Sequence, residues 1–267
     1  MGPKHEKAVS RLTTALALEP REHLALVGGG GKTGLMFTLA EELRLMRKRV
    51  VTSTTTKILY REALSSPCVI VLQSDSSWRD KLNKGLQTEG HVFLARSLFD
   101  PDKVQGISPS LSDKLFQDQR IDYLLLEADG SAGHPVKAHA EHEPVIPASA
   151  TKVVAMLGLE AVGKPLEPEI VFRIDLFRKL TGLNPGQRLT PSRLSRLFSE
   201  PQGIYKGTPV SAKKIAFLNK FDLLAEEKEA RDLADLVLES GLNRIDRVVI
   251  GSLSEGKYYA KHLCQNS

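Results

Sequence analysis

The stretch Gly28-Gly29-Gly30-Gly31-Lys32-Thr33 joins four flexible backbone positions to an amine and a hydroxyl. Glycines let consecutive backbone N–H groups converge on an anion at φ values that a Cβ disfavours. The run lies between an apolar strand, HLALVG, and a helical pattern over 33–48 with Leu35, Leu39, Leu43 and Met46 on one stripe. A helix N-terminus following such a turn favours phosphate. In this reading the amides of Gly28, Gly29, Gly30 and Gly31, with Lys32, hold the phosphates of GTP or ATP, and Thr33 offers its hydroxyl to Mg²⁺. The common spacing G-x-x-x-x-G-K-[ST] would place a glycine at position 26, where Leu26 stands. Counted from Gly28, the pattern is the shorter G-x-x-G-K-T.

A phosphate loop needs acidic partners at neighbouring strand ends. IDYLLLEADGS supplies Glu127 and Asp129, two residues apart and on one face if the strand persists. One is expected to hold Mg²⁺, directly or through water, and the other to orient a nucleophile; Asp129-Gly130 taken alone is equally a turn. TSTTTK ends another apolar strand, so Thr54, Thr55, Thr56 and Lys57 lie on the rim where α/β sheets bind ligands. They are candidate phosphate or Mg²⁺ contacts, although threonines are also ordinary strand and cap residues. FLNKFDLL carries Asn219, Lys220 and Asp222 in the order N-K-x-D after a further apolar strand. That tetrad reads guanine in GTP-binding proteins, with the aspartate accepting from the base, the lysine stem over the ring and the asparagine bracing the loop. Adenine stays open. His134, His139 and His142, with Glu141 and Glu143, match no standard metal-ligand spacing. They are read as a polar loop over a substrate, with Lys137 as an anion contact.

These residues need a scaffold that brings strand ends together. Continuous apolar runs at 68–73, 91–96, 121–128, 152–158, 213–220 and 247–253 read as strands covered on both faces. Helical patterns around 75–87, 169–181, 191–199 and 225–240 lie between several of them. The alternation predicts a doubly wound α/β fold with a mostly parallel sheet and helices on both faces, in one domain spanning 1–267. Val9, Leu12, Leu16 and Leu18 predict an N-terminal helix within 1–20. The proline-punctuated 129–150 reads as an active-site loop without regular structure.

The 267 residues are 41% hydrophobic and 26% charged, which argues against a disordered or fibrous chain. A formal charge of +5 favours anionic partners but is too mild to suggest nucleic acid, and no recognition motif for it is present. Cys68, in an apolar run, reads as a buried thiol, and Cys264 lies near the frayed end; no CxxC pair suggests zinc. With no signal peptide and no apolar run near 18 residues, the expected location is the cytoplasm, with no membrane contact. The sequence does not indicate an oligomeric state.

The short loop resembles that of ATP-dependent Mur-type amide ligases and aligns with the SIMIBI class of P-loop NTPases, whose extra signature lysine would fall at Val27. Over nearly the whole chain, the stretches VGGGGKTGLMFTLAEEL, RVVTSTTTKI, LLLEADGSAGHPVKAHAEHEPVIP, GLEAVGKPL and FLNKFDLL together resemble the YqeC family. The resemblance implies an accessory protein of selenium-dependent molybdenum hydroxylases. It also implies a P-loop NTPase fold and a role in maturing the selenium-containing cofactor, with a hydroxylase or its cofactor-handling proteins as partner. It supplies no substrate or reaction. Phe172-Arg173 stands where relatives are expected to carry His-Arg, which leaves Arg173 as a candidate anion contact. The functional expectation is Mg²⁺-dependent binding and hydrolysis of GTP or ATP. The alternatives are a nucleotide-gated chaperone with little turnover, or an ATP-dependent ligase or kinase acting on a small molecule.

Overall fold

The structure, a computed structural model, describes residues 4–240 and 244–263. Its strands are β1 (Lys4–Val9), β2 (Glu22–Gly28), β3 (Val50–Thr54), β4 (Lys57–Leu59), β5 (Val69–Val71), β6 (His91–Ala95), β7 (Ser97–Asp100), β8 (Lys103–Gln105), β9 (Tyr123–Glu127), β10 (Val136–Lys137), β11 (Lys152–Gly158), β12 (Val171–Phe172), β13 (Lys213–Asn219), β14 (Arg247–Ser252) and β15 (Lys257–Leu263). The helices are α1 (Leu12–Ala15), α2 (Lys32–Leu45), α3 (Tyr60–Ala63), α4 (Trp78–Thr88), α5 (Pro109–Gln117), α6 (Ile174–Thr181), α7 (Pro191–Ser199) and α8 (Glu227–Leu238).

A ten-stranded sheet runs in the order β1-β15-β14-β13-β11-β2-β9-β3-β6-β5. The eight strands from β14 to β5 pair in parallel, and β15 and β1 close one edge antiparallel. Successive residues of β2 feed opposite faces. Leu24 and Leu26 pack with Leu35, Leu39 and Leu43 of α2, while Ala25 and Val27 join the cluster of Phe177, Leu194, Phe198 and Leu233 from α6–α8. Both faces are covered, so these strands read as unbroken apolar runs rather than alternating ones. The expected doubly wound α/β architecture is the one present.

Several local expectations are corrected. The N-terminal helix within 1–20 is instead strand β1 followed by one turn of helix, α1. β1 is held by the antiparallel register Lys4↔Leu263 to Val9↔Tyr258, a partner at the far end of the chain that local periodicity does not reveal. The stretch 129–150 is not wholly irregular, because Val136 and Lys137 pair in parallel with Val171 and Phe172. Cys68 is half-buried rather than buried. A small antiparallel sheet, β4-β8-β7, and helix α5 are additional to the expected elements. Cys264 lies outside the described residues. Among the described residues, no helix is long and apolar enough to cross a membrane.

Candidate functional site

β2 stops at Gly28 and α2 starts at Lys32, so the glycines turn the chain at the C-terminal rim of the sheet. Two other segments press on this turn. A Cβ on Gly30, where φ is +81°, would lie 2.2 Å from the backbone nitrogen of Gly158, and one on Gly29 would lie 2.6 Å from the His134 carbonyl. Gly29 N–H donates to Met156 O at 3.1 Å and Gly30 N–H to His134 O at 3.0 Å. Among the described residues, the Gly31, Lys32 and Thr33 amides have no protein acceptor. They open α2, where the helix dipole favours an anion.

The carboxylates at the end of β9 meet the two reactive side chains of the loop. Thr33 Oγ1 donates to Glu127 Oε1 at 2.9 Å. Lys32 Nζ lies 3.2 Å from Asp129 Oδ1 and also donates to Gly28 O at 2.6 Å and to Ser131 Oγ at 3.1 Å. Asp129 Oδ2 accepts from Gly28 N–H at 2.9 Å and sits 2.5 Å from His139 Nε2. Burial pushes the Glu127 carboxyl above its ordinary range, against the pull of Lys32 and the Thr33 hydroxyl. Burial acts on Asp129 in the same direction, but Lys32, His139 and Lys137 prevail and hold it well below the usual carboxylate range. Asp129 is therefore a fixed anion, and Glu127 a carboxyl whose charge depends on its neighbours.

The segment after Asp129 folds inward. Lys137, 1% exposed, donates to Gly130 O and lies 3.3 Å from Asp129 Oδ2 and 3.0 Å from Glu143 Oε2. Glu143 Oε1 in turn accepts from Arg173 at 3.0 Å, and Arg173 takes a left-handed φ of 64° at the start of α6. His139 is buried, His142 is exposed, and the His134 ring tilts against Phe172 at 5.3 Å. The three histidines thus go to different places, and among the described residues no group of three or more His, Cys, Asp or Glu could hold a metal ion.

The hydroxyl run is mostly spent on structure. Thr54 Oγ1 donates to Glu127 O at 3.0 Å, Thr55 N–H to the same carbonyl at 2.9 Å, and Thr55 Oγ1 to Val145 O at 3.1 Å. Lys57 is not brought to the glycine loop: it opens β4, and its ammonium lies 3.2 Å from the centre of the Phe99 ring. Of the N-K-x-D residues, Asn219 does brace the loop, donating to Gly30 O at 2.8 Å and accepting from Leu253 N–H at 3.2 Å. Lys220 instead pairs with Glu160, and the exposed Asp222 accepts from Ser254 at 3.4 Å. Beside them a cleft of about 390 Å³ is lined by Leu159, Glu160, Val162, Leu223 and Leu224 among others. Ser131 and Glu160 were not anticipated from the sequence. Glu160 had the same signal as Glu127, an acid just past an apolar strand that ends on the ligand rim.

A solved structure of the 54 kDa signal recognition particle protein from Aeropyrum pernix K1, in complex with GDP, is 15% identical with a TM-score of 0.39; the match covers 88% of this chain and 42% of that one. The Escherichia coli (strain K12) protein described as "Uncharacterized protein YqeC" is 36% identical over 198 residues, or 74% of this chain and 75% of that protein. Residues 24–175, which include the glycine loop, both β9 carboxylates and the Lys137 segment, match the family model described as YqeC protein. The chain belongs to the YqeC family.

Proposed function

We propose that the protein binds a nucleoside triphosphate, GTP or ATP, with Mg²⁺ and hydrolyses or transfers its γ-phosphate, the whole chain acting as one P-loop domain. The observation that carries this reading is the pairing of each reactive loop side chain with its own strand-end carboxylate: Thr33 with Glu127, and Lys32 with Asp129. A glycine-rich turn serving only to reverse the chain has no need of either pair. The amides opening α2 and Lys32 bind the phosphates. Thr33 and Glu127 set two hard oxygens 2.9 Å apart, a donor set suited to Mg²⁺, which when bound neutralises phosphate charge. Asp129, a carboxylate at neutral pH, orients the attacking water. In hydrolysis, the water oxygen bonds to the γ-phosphorus and the bond to the β-phosphate oxygen breaks. The electron pair stays on the nucleoside diphosphate, and the water proton passes to solvent.

The family resemblance supports placing this activity in maturation of the selenium-containing cofactor of molybdenum hydroxylases. A second reading draws on the His134 carbonyl bound to the Gly30 amide, a contact that closes the loop. In that reading nucleotide releases the contact and changes affinity for a hydroxylase, with little turnover. Nucleotide titration with and without Mg²⁺, followed by steady-state phosphate release with and without a hydroxylase, separates the two. Lys32→Ala is expected to weaken triphosphate binding at least tenfold. A Lys32→Ala protein that binds and turns over nucleotide as the parent does would remove the assignment.

A further inference from the structure

The buried Asp129 carboxylate is surrounded as a phosphoryl group would be. It receives the Gly28 amide at 2.9 Å, Lys32 at 3.2 Å, Lys137 at 3.3 Å and His139 at 2.5 Å. Two lysines from distant parts of the chain thus converge on one anion beside the glycine loop. Lys32 comes from the loop itself. Lys137 arrives on a segment already fastened to that loop, through His134 O on the Gly30 amide and Ser131 Oγ on Lys32.

We propose that Lys137 is a second phosphate-directed cation, acting with Lys32 on the γ-phosphoryl group of the bound nucleotide. The inference rests on the nucleotide reading above and adds to it a charge from outside the loop. Two observations favour a working cation over a mere counter-ion. Lys137 is 1% exposed, so its charge is little screened by water; burial pushes the ammonium down, against the upward pull of Asp129 and Glu143. Its ammonium has three partners, Gly130 O, Glu143 and Asp129, and the contact to Asp129 is the longer of the two carboxylate contacts. Exchanging Asp129 for a phosphoryl oxygen leaves the other two partners in place to aim the amine.

A preorganised cation contributes where charge develops during transfer, more than in the ground state. As the water oxygen bonds to the γ-phosphorus and the bond to the β-phosphate oxygen breaks, Lys137 stabilises the charge on the phosphoryl oxygens and neither gives nor takes a proton.

The test uses the full-length protein with GTP or ATP and Mg²⁺, and compares the parent with Lys137→Met, Lys137→Arg and the double variant Lys137→Met/Glu143→Gln. The double variant removes the Glu143 carboxylate that Lys137→Met would leave with Arg173 as its one cation, so it keeps the question answerable if Lys137→Met fails to fold. The expected result is a ground-state nucleotide affinity within about threefold of the parent, with single-turnover hydrolysis slower by on the order of 10²-fold. Binding of the nucleoside diphosphate with aluminium fluoride, a mimic of the planar phosphoryl group, should weaken to a similar degree. Lys137→Arg should retain most of both. Parental hydrolysis and parental fluoride-complex affinity in a folded Lys137→Met or double variant would overturn the proposal. Failure of the parent to bind any nucleotide, or indifference to Lys32→Ala, would instead overturn the nucleotide reading beneath it.

Discussion

Asn219, Lys220 and Asp222 follow one another in the chain but do different work. Asn219 is committed to the loop through Gly30 O and Leu253 N–H, so replacing it disturbs phosphate binding whatever the base. Asp222 is exposed and loosely held by Ser254, next in the chain to Leu223 and Leu224 of the neighbouring cleft, and under the proposed nucleotide reading it is free to turn toward a base placed there. A carboxylate there accepts from the N1–H and exocyclic amine of guanine, whereas adenine offers an acceptor at N1. The protein should therefore prefer guanine nucleotides, and Asp222→Ala should cost guanine about tenfold in affinity, roughly one charged hydrogen bond, while leaving adenine unchanged. Competition titrations with GDP and ADP measure this. An adenine preference that Asp222→Ala leaves intact would rule it out.

At the scale of elements, the β2–α2 junction is set by what packs against it. Gly30 combines a left-handed φ with a backbone nitrogen 2.2 Å from any Cβ, and neither strain is relieved by turning a side chain. Gly30→Ala is accordingly expected to cost about 2–4 kcal/mol of stability in urea denaturation, as well as nucleotide binding. A variant within 0.5 kcal/mol of the parent, roughly the range of a neutral surface change, would show that the β11 end and the loop can separate cheaply. This junction was legible in the sequence because strand, turn and helix are contiguous and each carries its own signal. β11, residues Lys152–Gly158, was legible to the residue as an apolar run bounded by polar turns. The elements that were not legible owe their form to distant partners. β1 is a polar strand that exists by pairing with β15, and the β4-β8-β7 sheet is built of strands of three or four residues. In the site, Glu127 and Asp129 announced themselves at a strand end. The inward turn of Lys137 did not, because it depends on the two-residue pairing of β10 with the distant β12 and on partners, Glu143 and Asp129, that no periodicity orders.

Across the whole molecule, acid sensitivity follows from two histidines placed inside the sheet layers. His23 on β2 and His91 on β6 are buried, bonded to Ser149 at 2.8 Å and Thr52 at 2.9 Å respectively. Burial pushes both down to about 4, against the weaker upward pull of Asp113 on one and Glu41 on the other. Both are neutral in the folded state at neutral pH, whereas in the unfolded chain they titrate near 6.5. Their contribution is complete above pH 6.5 and is lost as pH falls toward 4, because the unfolded chain takes up protons first. Each is worth up to about 3 kcal/mol by that linkage. Glu127, pushed up by burial, works in the opposite sense as it protonates in the folded state, whereas Asp129, held down despite its burial by Lys32, His139 and Lys137, adds to the loss at lower pH. Urea midpoints should fall between pH 7 and pH 5, and His91→Phe should flatten that fall by removing one of the two groups. A midpoint that is level or rising toward pH 5 in the parent would mean that His23 and His91 accept protons without leaving the fold. The layers around β2 and β6 would then be open to water in a way their complete burial denies.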